Sequence, residues 1–243
     1  MTKPLALVVR SPGTNRDHDV AFALELAGAS AQRVSLPQLR ENPGSIHHAQ
    51  MVIFAGGFSY ADALGAGTLA ALQIATSLGD TLREFLAAGN PVLGICNGFQ
   101  MLVRSGLLPG SLTHNESGAF TCRWVTLETT AGATSVWTAG ITEPIECPVA
   151  HGEGRYLAEP SILSAHSALV YANDTNPNGS AANIAGVTDA SGLVLGLMPH
   201  PENHVLARQH PQFTRRRSGN TAAKAGLGLP LFTSGVNYVR GRG

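Results

Sequence analysis

The sequence predicts a doubly wound α/β fold, a mostly parallel sheet flanked by helices with a small antiparallel sheet appended. Three observations carry this. Apolar runs at 5–9, 51–55 and 91–95 are unbroken by polar residues, the texture of strands covered on both faces. Helical patterns lie between them, and strands alternating with helices over the first hundred residues imply parallel pairing through crossovers. From 120 to 150 the texture changes to β-branched, threonine-rich segments such as TCRWVTLETT, which predict antiparallel strands appended to the main sheet.

In chain order, the run 5–9 is stopped by SPGTN, and 17–26 carries Val20, Leu24 and Ala27 on one helical face before Gly28. A short strand near 33–36 precedes QMVIFAGG and a glycine-rich loop. Helices are expected at 66–76 and 80–88, the second with Asp80 as its cap and Gly89 as its stop. The strand 91–95 runs into the helical pattern FQMLVRSG. After the antiparallel stretch the parallel sheet is expected to resume, with strands at 168–172, 182–187 and 193–197, the last two joined by the turn-forming TDASG. The segment 209–228, with Arg215, Arg216 and Arg217, reads as an exposed loop before a closing tail. There is no internal repeat and no long low-complexity linker, so residues 1–243 are expected to form one domain that buries roughly three quarters of the unfolded surface.

Composition narrows the function. Sixteen basic and sixteen acidic residues balance, and only 13% of residues are charged, so no global field attracts nucleic acid or an anionic membrane. The three cysteines, Cys96, Cys122 and Cys147, are odd in number and widely spaced, which argues against a disulfide framework and against a zinc knuckle. A reducing cytoplasm fits. The first apolar run is too short for a signal segment or a membrane span.

The decisive motif is GICNGFQ. A nucleophile on a sharp strand-to-helix turn needs small neighbours two positions either side, and Gly94 and Gly98 supply them around Cys96. The turn also aims a helix N-terminus at the sulfur, which favours thiolate. Cys122 and Cys147 lack the glycine frame and read as packing residues. A thiol that attacks an amide needs a base that returns the proton to the leaving nitrogen. Among nine histidines the best placed is in MPHPENH, where flanking prolines extend the backbone so that His200 and Glu202 project to the same side and Glu202 fixes the imidazole. A zinc site from His200, Glu202 and Cys96 matches no common ligand spacing, so no metal is expected. Backbone N–H groups of AGGFSY, at Gly56 or Gly57, together with that of Asn97, are the candidate oxyanion hole.

With GICNGFQ, GGFSYADALGAG and MPHPE in hand, the sequence resembles the class I glutamine amidotransferases, whose triad is Cys, His and Glu. More narrowly it is similar to the glutaminase subunits of phosphoribosylformylglycinamidine synthase in purine biosynthesis. That likeness rests on PGTNRD, NESGAFTCRWV, PVAHGEGRY, PNGSAANIAGV and LFTSGV in the same order along nearly the whole chain. The resemblance implies that Cys96 is the nucleophile, His200 the general base and acid and Glu202 its orienting partner, with Gln100, Asn115, Phe120, His151 and Glu153 at the glutamine pocket or facing the synthetase. It implies hydrolysis of glutamine through a thioester, and passage of the ammonia to a large ATP-dependent synthetase subunit, with a small bridging subunit. No cofactor is expected on this chain, since neither Lys3 nor Lys224 follows a glycine as a phosphate loop requires, and ATP and magnesium belong to the partner. Glutaminases serving another synthetase, and non-catalytic relatives of the same fold, are the alternatives. Two departures stand out: the family usually has glycine where Ala61 stands, and 203–228 is longer than the usual segment.

Overall fold

The computed structural model describes residues 2–172, 175–216 and 227–242. The chain runs β1 (Leu5–Arg10), α1 (Asp17–Ala27), β2 (Ser30–Ser35), α2 (Leu36–Glu41), β3 (Met51–Phe54), α3 (Thr68–Ser77), α4 (Gly79–Ala87), β4 (Val92–Ile95) and α5 (Asn97–Arg104). It continues with β5 (Ser111–Thr113), β6 (Thr121–Thr129), β7 (Ile145–His151), β8 (Arg155–Leu157), α6 (Pro160–His166), β9 (Ser167–Tyr171), β10 (Ile184–Thr188), β11 (Val194–Leu197), α7 (Phe213–Arg216) and α8 (Leu229–Arg240).

Nine strands form one sheet in the order β2-β1-β3-β4-β11-β10-β9-β6-β7. From β2 to β11 every pair is parallel, and from β11 to β7 every pair is antiparallel. The order reverses at β1: the chain steps outward to β2, then back past β1 to β3 and β4. Right-handed crossovers therefore put α1 and the helices after β3 on opposite faces, which is double winding. α1 packs with α8, and α3 packs with α5. The central strands are apolar on both sides because both faces are covered; Val52, Ile53, Leu93, Ile95, Leu195 and Leu197 are fully buried.

The predicted architecture holds, with differences of detail. β9 and β10 are antiparallel, and only β11 rejoins the parallel set; the turn 188–192 makes β10 and β11 a hairpin, which dictates opposite directions. The antiparallel strands β6 and β7 extend the main sheet, while the separate small sheet is the pair β5 and β8. Asp80 lies in the first turn of α4, whose cap position is Leu78, but Gly89 ends the helix as expected, with φ of +78°. The segment read as a loop from 209 holds α7, and residues 217–226, Arg217 among them, lie outside the described residues. Among the described residues no helix is long and apolar enough to cross a membrane.

Candidate active site

β4 ends at Ile95 and α5 begins at Asn97, so Cys96 alone makes the turn, with φ of 51° and ψ of −105°. That is forbidding backbone for a residue with a Cβ and costs about 1–3 kcal/mol. The turn is possible because a Cβ on Gly98 would stand 2.0 Å from the Phe54 carbonyl oxygen, so only glycine lets α5 approach β3 this closely. The Cys96 N–H donates to the Leu197 carbonyl at 2.8 Å, fixing the elbow to β11, and the first-turn N–H groups of α5 are free of intrahelical partners beside the sulfur.

β11 lies beside β4 with Leu197 opposite Ile95, so the chain emerging from β11 passes the elbow. His200 is held there by its own N–H, which donates to the Pro148 carbonyl at 2.8 Å. Its Nδ1 is 2.7 Å from Glu202 Oε1, and Cys96 is near enough to act on its charge, while the Cys96 thiol itself lies 3.8 Å from the Ala150 carbonyl oxygen. Burial pushes the His200 cation down, but Glu202 and Cys96 outweigh it and raise the imidazole to about 10. Glu202 is fully buried, and among the described residues no donor reaches its Oε2. Cys147 is buried close by, its thiol pushed up by burial and by Glu202. Cys122, expected to pack, is instead exposed on β6, where successive side chains alternate between the faces and its neighbour Arg123 is exposed too.

A cavity of about 180 Å³ opens beside Cys96. Gly57, Gln100, Phe120, His151 and Glu153 line it, together with Phe58, Asp62 and His114, which sequence reasoning passed over. Asp62 was legible as an acid stranded in an otherwise small and apolar loop of a chain poor in charge. Burial, then Glu153, raises its carboxyl above the usual range. Phe58 and Phe120 stack at 6.4 Å between ring centres. A larger cavity of about 340 Å³, at Trp124, Glu146 and His210, has no cysteine among its lining residues.

Two of the expected pocket residues work differently. Asn115 does not line the cavity: its Oδ1 accepts from Gly154 N–H at 3.0 Å and lies 3.1 Å from His151 Nδ1, so it braces the HGEG loop from behind. Gln100 lines the cavity, but its carboxamide is engaged, Nε2 donating to the Glu153 carbonyl at 2.7 Å and Oε1 accepting from Asn97 at 2.9 Å. His151, between Asn115 and Asn178, has no anionic partner in its hydrogen bonds, and burial, then the His200 charge, lowers it to about 4. The Glu153 carboxylate accepts from Ala66 N–H at 3.3 Å and pairs with Arg104 at 3.2 Å.

Gly57 has φ of +147°, and a Cβ there would stand 2.7 Å from Thr14 Cα, so the loop after β3 can lie against residues 13–16 only with glycine. Both Gly57 and Asn97 thus adjoin the elbow. Tyr60, Ala61, Asp62 and Leu64 beyond it are all in left-handed backbone, Ala61 with φ of 55°. Glycine is the residue that enters that region freely, so Ala61 is held there against the preference of a residue with a Cβ. Among the described residues no group of three or more His, Cys, Asp or Glu side chains is gathered to hold a metal ion.

The arrangement, a cysteine on a strained elbow with an imidazole and carboxylate behind it and a cavity lined by polar side chains in front, suits acyl transfer from an amide. Residues 3–239 match the family model of the CobB/CobQ-like glutamine amidotransferase domain. The chain is 41% identical to the phosphoribosylformylglycinamidine synthase subunit PurQ of Treponema denticola, over 98% of this chain and 99% of that one. It is 44% identical to the subunit of the same name from Pyrobaculum aerophilum, over 96% and 98%. Among solved structures, a chain of PurLQS from Thermotoga maritima superposes with a TM-score of 0.79 at 36% identity, covering 98% and 99%.

Proposed function

The chain belongs to the CobB/CobQ-like glutamine amidotransferase family, and from that premise we propose that it is the glutaminase subunit of phosphoribosylformylglycinamidine synthase. The observation that carries the chemistry is the alignment of Cys96, His200 and Glu202 at the ends of two adjacent strands, beside one polar cavity. The whole chain, 1–243, is read as a single amidotransferase domain.

In this reading glutamine enters with its carboxamide at Cys96. The Cys96 thiol gives its proton to His200 as the sulfur adds to the carbonyl carbon, and the developing oxyanion is taken by the N–H groups of Gly57 and Asn97, each such donor being worth roughly 3–4 kcal/mol at the transition state. His200 gives a proton to the nitrogen as the C–N bond breaks, so ammonia leaves and a glutamyl thioester remains. His200 then removes a proton from water, which attacks the thioester, and glutamate leaves as Cys96 is restored. Glu202 holds Nδ1–H throughout, and with it the face that Nε2 presents. The wall of Phe120, His151 and Glu153 shapes the glutamine pocket. ATP and magnesium act on a large synthetase subunit, which receives the ammonia and converts formylglycinamide ribonucleotide to its amidine, with a small bridging subunit completing the complex. The cytoplasm is the compartment that this pathway and a free nucleophilic thiol suit.

Mixing the chain with its synthetase subunits and following glutamate release, with and without ATP and ribonucleotide, tests the reading. Release is expected to rise sharply in the full mixture. Cys96→Ala abolishes glutamine-driven amidine formation and leaves the reaction driven by added ammonium salt intact; a glutamine-like diazo-ketone modifies Cys96 and spares Cys122 and Cys147. Coupling to a different synthetase would identify another pathway, and absence of both labelling and turnover would mark a non-catalytic relative.

A further inference from the structure

Taking the glutaminase reading as given, we propose that the side chain of Asn97 is a positioning residue that locks the loop bearing one oxyanion donor to the helix bearing the other. Its backbone N–H already stands at the elbow as a donor, and its side chain does separate work. The carboxamide is buried, 1% exposed, and every part of it is used. Oδ1 accepts from the N–H of Ser59 at 3.0 Å, while Nδ2 donates to Asp62 Oδ1 at 3.1 Å and to Gln100 Oε1 at 2.9 Å.

These contacts bind exactly the stretch that needs holding. Four non-glycine residues between 60 and 64 lie in left-handed backbone, which a side chain disfavours, so the loop does not take this shape by its own preference. From Asn97 the chain of hydrogen bonds continues through Gln100 to the Glu153 carbonyl at 2.7 Å, and the Glu153 carboxylate returns to the loop at Ala66 N–H. The loop is therefore gripped at Ser59 and Asp62 from α5, and at Ala66 from the opposite wall. One side chain sets the spacing between the N–H of Gly57 and the N–H of Asn97 itself. A donor pair misplaced by about 1 Å loses on the order of a hundredfold in rate, because the oxyanion exists only in the transition state.

The carboxamide is also the group the position requires. Leucine has the volume but leaves the Ser59 N–H buried without an acceptor. Aspartate keeps that acceptor but sets a second carboxylate against Asp62, which already sits near Glu153.

The test uses the assembled complex. Asn97→Leu is expected to lower kcat for glutamine hydrolysis about a hundredfold while KM moves less than about threefold, the signature of an interaction realised in the transition state. Alkylation of Cys96 by iodoacetamide, a displacement at carbon that builds no oxyanion, stays within about threefold of wild type on the same principle. Amide exchange at residues 57–62 quickens in the variant. Asn97→Asp falls at least as far as Asn97→Leu, and adding Asp62→Asn, which restores a donor facing an acceptor, brings back about tenfold beyond the product of the two single variants. Unchanged kcat, an equal loss of alkylation and hydrolysis, or unaltered exchange at 57–62 overturns the proposal. Where Asn97→Leu does not fold, the paired exchange decides, recovery supporting the lock and its absence refuting it. A wild-type complex that hydrolyses no glutamine defeats the functional reading instead, and the exchange measurement still judges the lock.

Discussion

His200 and His151 are both buried, both border the groove at Cys96, and are driven in opposite directions, one to about 10 and the other to about 4. Burial depresses each of them equally in kind. What separates them is the company they keep: His200 has the Glu202 carboxylate at 2.7 Å, whereas His151 rests between the carboxamides of Asn115 and Asn178. A carboxylate makes one imidazole a proton store, and carboxamides make the other a neutral strut. Charge on the first then helps to keep the second uncharged, since His200 itself contributes to the fall of His151. The position of an acid, rather than the choice of histidine, divides chemistry from scaffolding here.

Removing that acid should break the contrast most severely. Glu202→Gln is expected to reduce glutamine hydrolysis by about 100- to 10,000-fold, the range of general acid–base catalysis, as measured by glutamate release in the complex. Stability should register it as well. A histidine raised from 6.5 to about 10 contributes stability that is complete below pH 6.5 and is lost as pH climbs through 10, so the variant's melting temperature should vary less across that alkaline window. An unchanged alkaline slope would show that Glu202 is not what holds the proton.

The opposite limb belongs to His151. Its lowered value means stability that is present above pH 6.5 and is lost as pH falls through 4, where the unfolded chain takes up a proton that the folded one refuses. His151→Gln, neutral at every pH, should flatten the acid limb of the melting curve while hydrolysis falls less than in Glu202→Gln. Thermal melts from pH 4 to 7 decide this, and an acid limb as steep as wild type sinks it.

The smallest change sharpens the comparison by touching neither histidine. Ala61→Gly relieves a Cβ from left-handed backbone and is expected to stabilise the fold by about 1 kcal/mol, read as a higher melting temperature, with glutamine turnover within about twofold. A lower melting temperature would mean that the methyl group packs more than it strains.

The difference between these two histidines also marks how far the sequence could be read. Cys96, His200 and Glu202 were legible because each depends on a short local device: a Gly-x-Cys-x-Gly turn, and a His-x-Glu spaced by prolines at the end of a buried strand. Their meeting needed only that the two strands be neighbours, which they are in register. The pocket wall was legible by resemblance alone, and its working was not, because it depends on contacts between distant segments. Nothing in NESGAF says that Asn115 turns inward to hold Gly154, thirty-nine residues on, or that Gln100 spends its amide on Glu153, fifty-three away. The antiparallel pairing of β9 and β10 was missed for a related reason. Apolar runs report burial on both faces and are silent about polarity of the chain.

The order of the central strands has a consequence in time. β4 pairs on one side with β3, made just before it, and on the other with β11, made about a hundred residues later. At about 5–20 residues per second of synthesis, the elbow waits roughly 5–20 s for the strand that brings the base. During that interval the thiol at position 96 is present without the imidazole that would make it an amidase. Under the roles proposed above, reactivity is thus assembled by the last strand of the sheet to be made, and a nascent chain carries its thiol unarmed.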